Sequence, residues 1–221
     1  MPQCLSLREI KVNNSIKDIV VIGAGGHAKV VISALIESNI KIKGVLDDDQ
    51  NKWDRKVLNI PVIGPIENIK SGDYELGIIA IGDNKIRKFV AEKYKGCCKW
   101  ISIIHPFSYV HPTVEIGEGS VVFAGAVIQP EVKIGKHVIV NTSASIDHDC
   151  IIQDYVHIAP GVHLAGRVEV GEGSFLGIGS SVIPYKTIGK WAIVGAGSVV
   201  IKGVPDCVTA VGVPAKPLER K

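Results

Sequence analysis

The chain has 221 residues, enough for two small domains or one elongated fold. Its 25 basic and 22 acidic side chains leave a net charge of +3 without a basic stripe, so nucleic acid is not an expected partner. The sequence has neither a signal-peptide pattern nor an apolar run that could span a membrane. The five Cys form no C-x-x-C pair, and we expect a cytoplasmic protein without a membrane partner.

The N-terminal third begins with a polar, irregular extension over residues 1–17. A buried strand is predicted over Ile19–Ile22, followed by a turn rich in Gly and a helix over His27–Ser38. This order of strand, Gly-rich loop and helix presents backbone N–H groups to a phosphate. The segment therefore predicts a phosphate-binding loop.

Two more strands are predicted before residue 84. The second ends in Asp47, Asp48 and Asp49, and acids at that place in dinucleotide-binding folds contact ribose hydroxyls. The third runs over residues 75–83 and precedes a helix. Only half of a dinucleotide-binding fold fits here, which favours a nucleotide-sugar over NAD. A purely structural domain is the alternative.

A six-residue repeat dominates the remainder of the chain. From Ile104 to Val200, every sixth residue is Ile, Val or Leu. The residue four positions after each of these aliphatic residues is small or β-branched from Ser120 to Ser198, with Lys186 as the exception. The period fits neither a helix nor a hairpin, but it is typical of a parallel β-helix in which three short strands form a coil of about eighteen residues. The aliphatic residues are predicted to stack inside, and the small ones to turn the corners.

The predicted fold is an α/β half-Rossmann domain followed by a left-handed parallel β-helix and a short C-terminal tail. The tail is rich in Pro and Gly, and we expect it to contain one short strand and to cover the last coil. The predicted boundaries are an extension at 1–17, a nucleotide-sugar-binding domain at 18–101, the β-helix at 102–203 and the tail at 204–221.

The most polar part of the repeat contains Asp147, His148 and Asp149. An imidazole accepts a proton near neutral pH, and a hydrogen-bonded carboxylate orients the ring and raises its basicity. Neighbours along a strand point to opposite faces, so an adjacent acid reaches His148 only where the backbone turns. Both acids are candidates, and a solvated polar corner is the alternative.

Two further polar residues lie near this segment in the sequence. His157 follows His148 by half a coil, so it belongs to another face and would meet His148 of a second subunit in an oligomer. Asn141 either stacks inside the coil or contacts an acceptor substrate.

Several segments together resemble one branch of the hexapeptide-repeat acyltransferases, which acts in sialic acid and bacillosamine metabolism. They are GAGGHAKVV, LDDD, IAIGDNKIRK, NTSASIDHDC, VHIAPGVHLAG and VGVPAK, between about Ile19 and Lys216. The chain is most similar to the N-acetyltransferases of nucleotide-activated 4-amino sugars. The resemblance implies a homotrimer with acetyl-CoA as co-substrate, bound between neighbouring β-helices, and no metal. The implied acceptor is a 4-amino-4,6-dideoxy sugar, with a UDP-linked sugar favoured.

The resemblance also implies roles for individual residues. His148 would be the general base, Asp149 the carboxylate that raises its basicity, and His157 a donor to the acetyl carbonyl. The family commonly has Glu at the position of Asp149. Residues implied near acetyl-CoA are Gly166, Ile178 and Ala196. Residues implied near the nucleotide-sugar are Gly25, Gly26 and His27 at the diphosphate-sugar, Asp47 and Asp48 at the nucleoside, Gly82 after the third strand, and Asn141 near the amine.

Three other functions compete with this interpretation. A sialic acid O-acetyltransferase shares most of the motifs but has a hydroxyl as acceptor. A metal-dependent hydratase of the γ-carbonic anhydrase type needs three His ligands from neighbouring subunits, and it leaves the Gly-Gly-His loop unexplained. A non-catalytic solenoid would carry ranks of repeated outward residues, whereas the outward positions here are irregular.

Overall fold

The computed structural model describes residues 19–218, so the predicted extension at 1–17 lies outside the described residues. The chain folds into two compact units, and the boundary falls between Pro106 and Phe107. The four-part division predicted from the sequence stays a prediction.

A single sheet forms the centre of the first unit, with six strands in the order β3-β4-β2-β1-β5-β6 among the described residues. All neighbours are parallel except β3 and β4. The strands are β1 (Ile19–Ile22), β2 (Ile42–Leu46), β3 (Lys56–Val57), β4 (Ile60–Gly64), β5 (Leu76–Ile79) and β6 (Lys99–Trp100). The sequence predicted β1, β2 and β5. It did not predict β3 and β6, which have two residues each, or β4, which contains Pro61.

The described part of this unit, residues 19–106, has two helices, α1 (Gly26–Glu37) and α2 (Asn84–Lys93), with 3₁₀ turns at Gln50–Lys52 and Ile66–Ser71. The buried face of α1 consists of Ala28, Val31, Ile32, Ala34 and Leu35, the spacing of one helical stripe. No side chain caps the start of α1, where Gly25 is the N-cap. The first turn of α1 therefore presents its backbone N–H groups at the Gly-rich loop.

The second unit consists of short strands that follow β7 (Ile103–Ile104) and lie on three faces. The first face contains β10 (Val121–Val122), β13 (Ile139–Val140), β16 (His157–Ile158), β19 (Phe175–Leu176), β22 (Ile193–Val194) and β24 (Thr209–Val211). The second face contains β8 (Tyr109–Val110), β11 (Val127–Ile128), β14 (Ser145–Ile146), β17 (His163–Leu164), β20 (Ser181–Val182) and β23 (Val199–Val200). The third face contains β9 (Glu115–Ile116), β12 (Lys133–Ile134), β15 (Ile151–Ile152), β18 (Glu169–Val170) and β21 (Thr187–Ile188).

One coil takes 18 residues, because Val121 pairs in parallel with Ile139, and Ile139 pairs with His157. The second residue of each strand points inward, and these aliphatic side chains are buried from Val122 to Val200. The parallel β-helix predicted from the sequence is confirmed.

The corners differ in one detail from the prediction. The small or β-branched residue is buried inside the corner, as Ala144 and Cys150 show. The chain turns at the residue before it, which has a left-handed backbone with φ of +55° at Ser143 and +60° at Asp149. The buried position, such as Ala144 or Cys150, needs a small side chain because little space remains inside the corner.

The C-terminal segment adds two short strands where the sequence predicted one. β24 lies parallel to β22 and continues the first face, and β25 (Lys216–Pro217) pairs antiparallel with β24. Between residues 19 and 218, none of the helices has the length and apolar character needed to cross a membrane.

Candidate active site

His148 lies at a corner of the β-helix, between β14 and β15. The backbone turns at Asp149, where φ is +60°, and this turn brings the side chain of Asp149 back to the preceding imidazole. His148 Nδ1 lies 2.8 Å from Asp149 Oδ2. The carboxylate of Asp147 instead accepts a hydrogen bond of 2.8 Å from the backbone N–H of His148. Of the two acids, Asp149 is therefore the one that contacts the ring.

The charge on Asp149 determines the tautomer of His148. The hydrogen bond from His148 lowers the pKa of Asp149, and the guanidinium of Arg167 lowers it further. An ionised carboxylate only accepts hydrogen bonds, so Nδ1 of His148 carries the proton and donates it. Nε2 then keeps a lone pair, and about half of the side chain is exposed. The pair has the arrangement of a general base with its orienting carboxylate.

Gly166 lies directly beneath this imidazole, one coil further along the chain. A Cβ atom at residue 166 would lie 2.6 Å from Nε2 and 2.7 Å from Cε1 of His148. Both distances are shorter than real Cβ contacts, so any larger residue would displace the ring. The resemblance implies a place near the acetyl group for Gly166, and the structure shows that Gly166 faces the ring of His148.

Arg167 belongs to the same corner and was not predicted. Its Nε lies 3.4 Å from Asp149 Oδ2, the oxygen that also faces His148. Its guanidinium carbon lies 5.6 Å from the centre of the Tyr185 ring. Asp149, Arg167 and Tyr185 follow one another at intervals of 18 residues, which is one coil. The coil period was therefore the signal in the sequence that could have identified Arg167.

His157 begins β16 on the first face, and Asn141 follows β13, the neighbouring strand of that face. Asn141 Nδ2 lies 3.1 Å from His157 Nε2, and Asn141 Oδ1 accepts a hydrogen bond of 2.9 Å from the backbone N–H of Thr142. The edge of the His157 ring meets Phe175, with ring centres 5.1 Å apart. The structure thus brings Asn141 into contact with His157, although the resemblance places Asn141 near the sugar amine and His157 near the acetyl carbonyl.

Ile178 and Ala196 lie at the corner between the first and second faces, one coil apart, and both are exposed. His148 lies at the corner between the second and third faces. Within one chain, the predicted pantetheine residues and the predicted base are therefore at opposite edges of the second face.

A cavity of about 450 Å³ runs along the second face between these edges. Its lining includes Asp147, Ala165, Ser181 and a hydrogen-bonded pair, Ser145 and His163, in which Oγ and Nδ1 are 2.8 Å apart. Neither Ile178 nor Ala196 lines this cavity.

In the first unit, the Gly-rich loop is open above Gly25 and Gly26. A Cβ atom at either residue would meet nothing within 4 Å. The loop is held from the side by Asp47, whose Oδ2 accepts a hydrogen bond of 2.6 Å from the backbone N–H of Ala24. Lys52 Nζ lies 3.2 Å from both oxygens of the same carboxylate. Asp47 therefore shapes the loop and is largely buried, while Asp48 is exposed.

Asp48 has a structural contact of its own. Its Oδ1 accepts a hydrogen bond of 2.9 Å from the backbone N–H of Ile66, at the start of a 3₁₀ turn. Both acids predicted at the nucleoside thus follow β2, and each is bonded to a different backbone segment.

His27 and Gly82 meet at the same end of the sheet. A Cβ atom at Gly82 would lie 3.9 Å from Cβ of His27, an ordinary van der Waals contact. Burial, and then the charge of Arg87, lower the pKa of His27 to about 4. His27 is therefore neutral at physiological pH.

Arg87 was not predicted as part of this site. It is almost fully buried and donates to the carbonyls of Ile81 and Gly82, at 3.0 and 3.1 Å, and to Asn84 Oδ1, at 2.8 Å. These bonds hold the loop after β5. The polar segment DNKIRK gave no sign that one of its cations is buried.

In residues 19–218, no group of three or more His, Cys, Asp or Glu residues is arranged to hold a metal ion. The parallel β-helix of hexapeptide coils and the His–carboxylate pair at one of its corners together define the class of hexapeptide-repeat acyltransferases.

Comparisons with known proteins narrow this class. Residues 18–94 match the PglD N-terminal domain. The GDP-perosamine N-acetyltransferase of Escherichia coli O157:H7 is 34% identical over 149 residues, which are 64% of this chain and 67% of that enzyme. The UDP-N-acetylbacillosamine N-acetyltransferase of Bacillus subtilis (strain 168) is 42% identical over 112 residues, which are 49% of this chain and 52% of that enzyme.

A solved structure matches nearly the whole chain. PerB from Caulobacter crescentus, in complex with CoA and GDP-perosamine, is 40% identical with a TM-score of 0.87. The match covers 93% of this chain and 99% of that one. The chain belongs to the nucleotide amino-sugar N-acetyltransferase family of hexapeptide-repeat enzymes, which confirms the predicted family and fold class. It is an acyltransferase, and solved relatives hold CoA or acetyl-CoA.

Proposed function

We propose that this protein transfers the acetyl group of acetyl-CoA to the amine of a nucleotide-linked 4-amino-4,6-dideoxy sugar. The observation that carries the proposal is the His148–Asp149 pair seated over Gly166, in a chain of this family. The pair leaves one imidazole lone pair available beside a residue that has no side chain.

The amine is acetylated directly in this proposal. Nε2 of His148 accepts a proton from the amine while the nitrogen bonds to the thioester carbon. The C–S bond then breaks, and the proton passes to the sulfur of CoA. Asp149 stabilises the imidazolium that forms between the two transfers, through the hydrogen bond from Nδ1. This sequence of steps needs neither a metal nor a covalent enzyme intermediate.

The thioester oxygen gains negative charge as the amine attacks, and a hydrogen-bond donor lowers the energy of that state. We assign this role to His157, on the first face. The placement of His157, Ile178 and Ala196 away from the His148 corner supports a site shared by two copies of the chain.

We therefore propose a homotrimer in which acetyl-CoA lies between neighbouring β-helices, at the Ile178 corner of one copy and the His148 corner of the next. Gly166 lies at the His148 corner. The third face is unsuited to packing because it carries outward charges such as Glu115, Lys133 and Glu169. A monomeric mass by light scattering would contradict this assembly.

We assign the nucleotide-sugar to the loops of the first unit. Backbone N–H groups at the start of α1 suit the diphosphate, and the space above Gly25 and Gly26 admits it closely. His27 acts as a neutral hydrogen-bond donor, with Gly82 beside it. Asp48 is exposed, and we assign it to contact the nucleoside. Asp47 contributes to nucleoside binding indirectly, because it holds the Gly-rich loop through the backbone N–H of Ala24. Asn141 is assigned to the amine end of the sugar.

A UDP-linked sugar is the predicted substrate, and a GDP-linked sugar is the alternative. Relatives of comparable identity act on sugars of both kinds. We propose the cytoplasm as the compartment of the enzyme.

The test is acetyl-CoA consumption by the purified chain with UDP-, GDP- and dTDP-linked 4-amino-4,6-dideoxy sugars, and with free sialic acid. We expect CoA release and an N-acetylated product with one nucleotide class, and no turnover with sialic acid. Turnover with sialic acid alone would establish O-acetylation and overturn the proposal. A parallel assay without any acceptor measures background hydrolysis of the thioester.

A further inference from the structure

The contact between Asn141 and His157 determines which nitrogen of His157 carries a proton. Asn141 Oδ1 accepts from the backbone N–H of Thr142 at 2.9 Å, and the Thr142 hydroxyl lies 3.4 Å from the same oxygen. A backbone N–H cannot bond to an amide NH₂, so the orientation of this amide is determined. Its NH₂ group must then face His157.

An NH₂ group only donates hydrogen bonds. Asn141 Nδ2 lies 3.1 Å from His157 Nε2, so Nε2 is the acceptor and has no proton. In a neutral imidazole the proton then resides on Nδ1. Free imidazole side chains in water favour the opposite form, with the proton on Nε2, so the contact selects the minor tautomer.

From this geometry we infer that Asn141 is a positioning residue that locks His157 in the Nδ1–H tautomer. The inference rests on the proposed function in one respect, the role of His157 as donor to the thioester oxygen. The lock makes Nδ1–H that donor, and the T-shaped contact with Phe175 holds the plane of the ring. The resemblance assigned Asn141 to the amine of the sugar, and the lock is an additional role.

The tautomer is measured directly by long-range ¹H–¹⁵N spectra of the full chain labelled at its seven His residues, at about pH 8, where ordinary imidazoles are neutral. The His157 signals are assigned by their loss in His157→Gln. We expect the Nδ1–H pattern for His157 in the wild type. In Asn141→Asp the carboxylate accepts from Nε2–H instead, and we expect the pattern to reverse.

Kinetics separate the lock from a merely structural contact. Asn141→Asp keeps the size of the side chain and the oxygen that Thr142 needs. We expect its kcat to fall about 100-fold, as when an oxyanion donor is lost, with the KM for acetyl-CoA changed less than threefold. Ser145→Ala is the matched control for the spectra, because it removes the partner of a different ring, His163, and should leave the His157 signals in place.

An Nε2–H pattern for His157 in the wild type would overturn the inference, and so would an unchanged pattern in Asn141→Asp. Both results are independent of activity. Reversal of the pattern with kcat unchanged would establish the lock and overturn only the role of His157 in the proposed function.

Discussion

Asp149 shows how a short acid reaches the ring of His148, at a position where the family resemblance implies the longer Glu. The left-handed backbone at residue 149 folds the carboxylate back toward His148, and Nδ1 and Oδ2 are 2.8 Å apart without an additional methylene. Asp is among the few residues that adopt this backbone readily. The corner itself therefore supplies the reach that the shorter side chain lacks.

Gly166→Ala tests whether the position of the imidazole matters. The new methyl group would lie 2.6 Å from Nε2, so the ring must move by about 1 Å. We expect kcat to fall about 100-fold, the cost of a displacement of that size, while the fold is retained because the backbone at residue 166 is not left-handed.

Steady-state kinetics and a thermal unfolding curve of Gly166→Ala distinguish the two effects. A variant that unfolds at the wild-type temperature with wild-type kcat would show that the ring does not act from this position.

At the level of elements, α1 and the loop after β5 enclose His27, which gives the first unit a pH-dependent stability. The folded state lowers the pKa of His27 from 6.5 to about 4, so below pH 6.5 the unfolded chain binds a proton that the folded chain refuses. The free energy of unfolding should fall between pH 6.5 and pH 4, by about 3 kcal/mol at most. Above pH 6.5 this contribution is complete.

Urea unfolding at a series of pH values, with His27→Asn beside the wild type, checks this prediction. We expect the variant to lose most of the slope between pH 6.5 and pH 4. Equal slopes in the two proteins would assign the pH dependence to other groups.

Strong periodicity made some elements predictable and left others out of reach. The repeat from Ile104 to Val200 determined the coils, and the Gly-rich loop between two apolar segments determined β1 and α1. Isolated strands of two residues outside the repeat, such as β3 and β6, carry no pattern long enough to detect.

The site shows the same division. His148 was predictable as a polar residue in an aliphatic wall, but the choice between Asp147 and Asp149 depended on a backbone angle. The bond between Asn141 and His157 joins two coils, and the sequence offered no reason to pair an amide with that ring.

For the whole molecule, the 18-residue coil is the unit that organises the chemistry. It places Gly166 and Arg167 one coil after His148 and Asp149, and it places His157 on a different face from His148, the proposed base. One chain therefore distributes its proposed site residues around the β-helix, and the proposed trimer would bring them together between copies.

The most direct measurement compares His148→Ala with the wild type, using the preferred nucleotide-sugar. Without the base we expect kcat to fall 100- to 10,000-fold, the range of general base catalysis, because the proton of the amine has no acceptor. Acetyl-CoA binding by calorimetry should change less than threefold. His111→Ala removes a histidine at the same edge of the β-helix, two coils before Asp147, whose ring contacts Thr113, and it serves as the matched control. Turnover of His148→Ala within a few-fold of the wild type would contradict the assignment of the base.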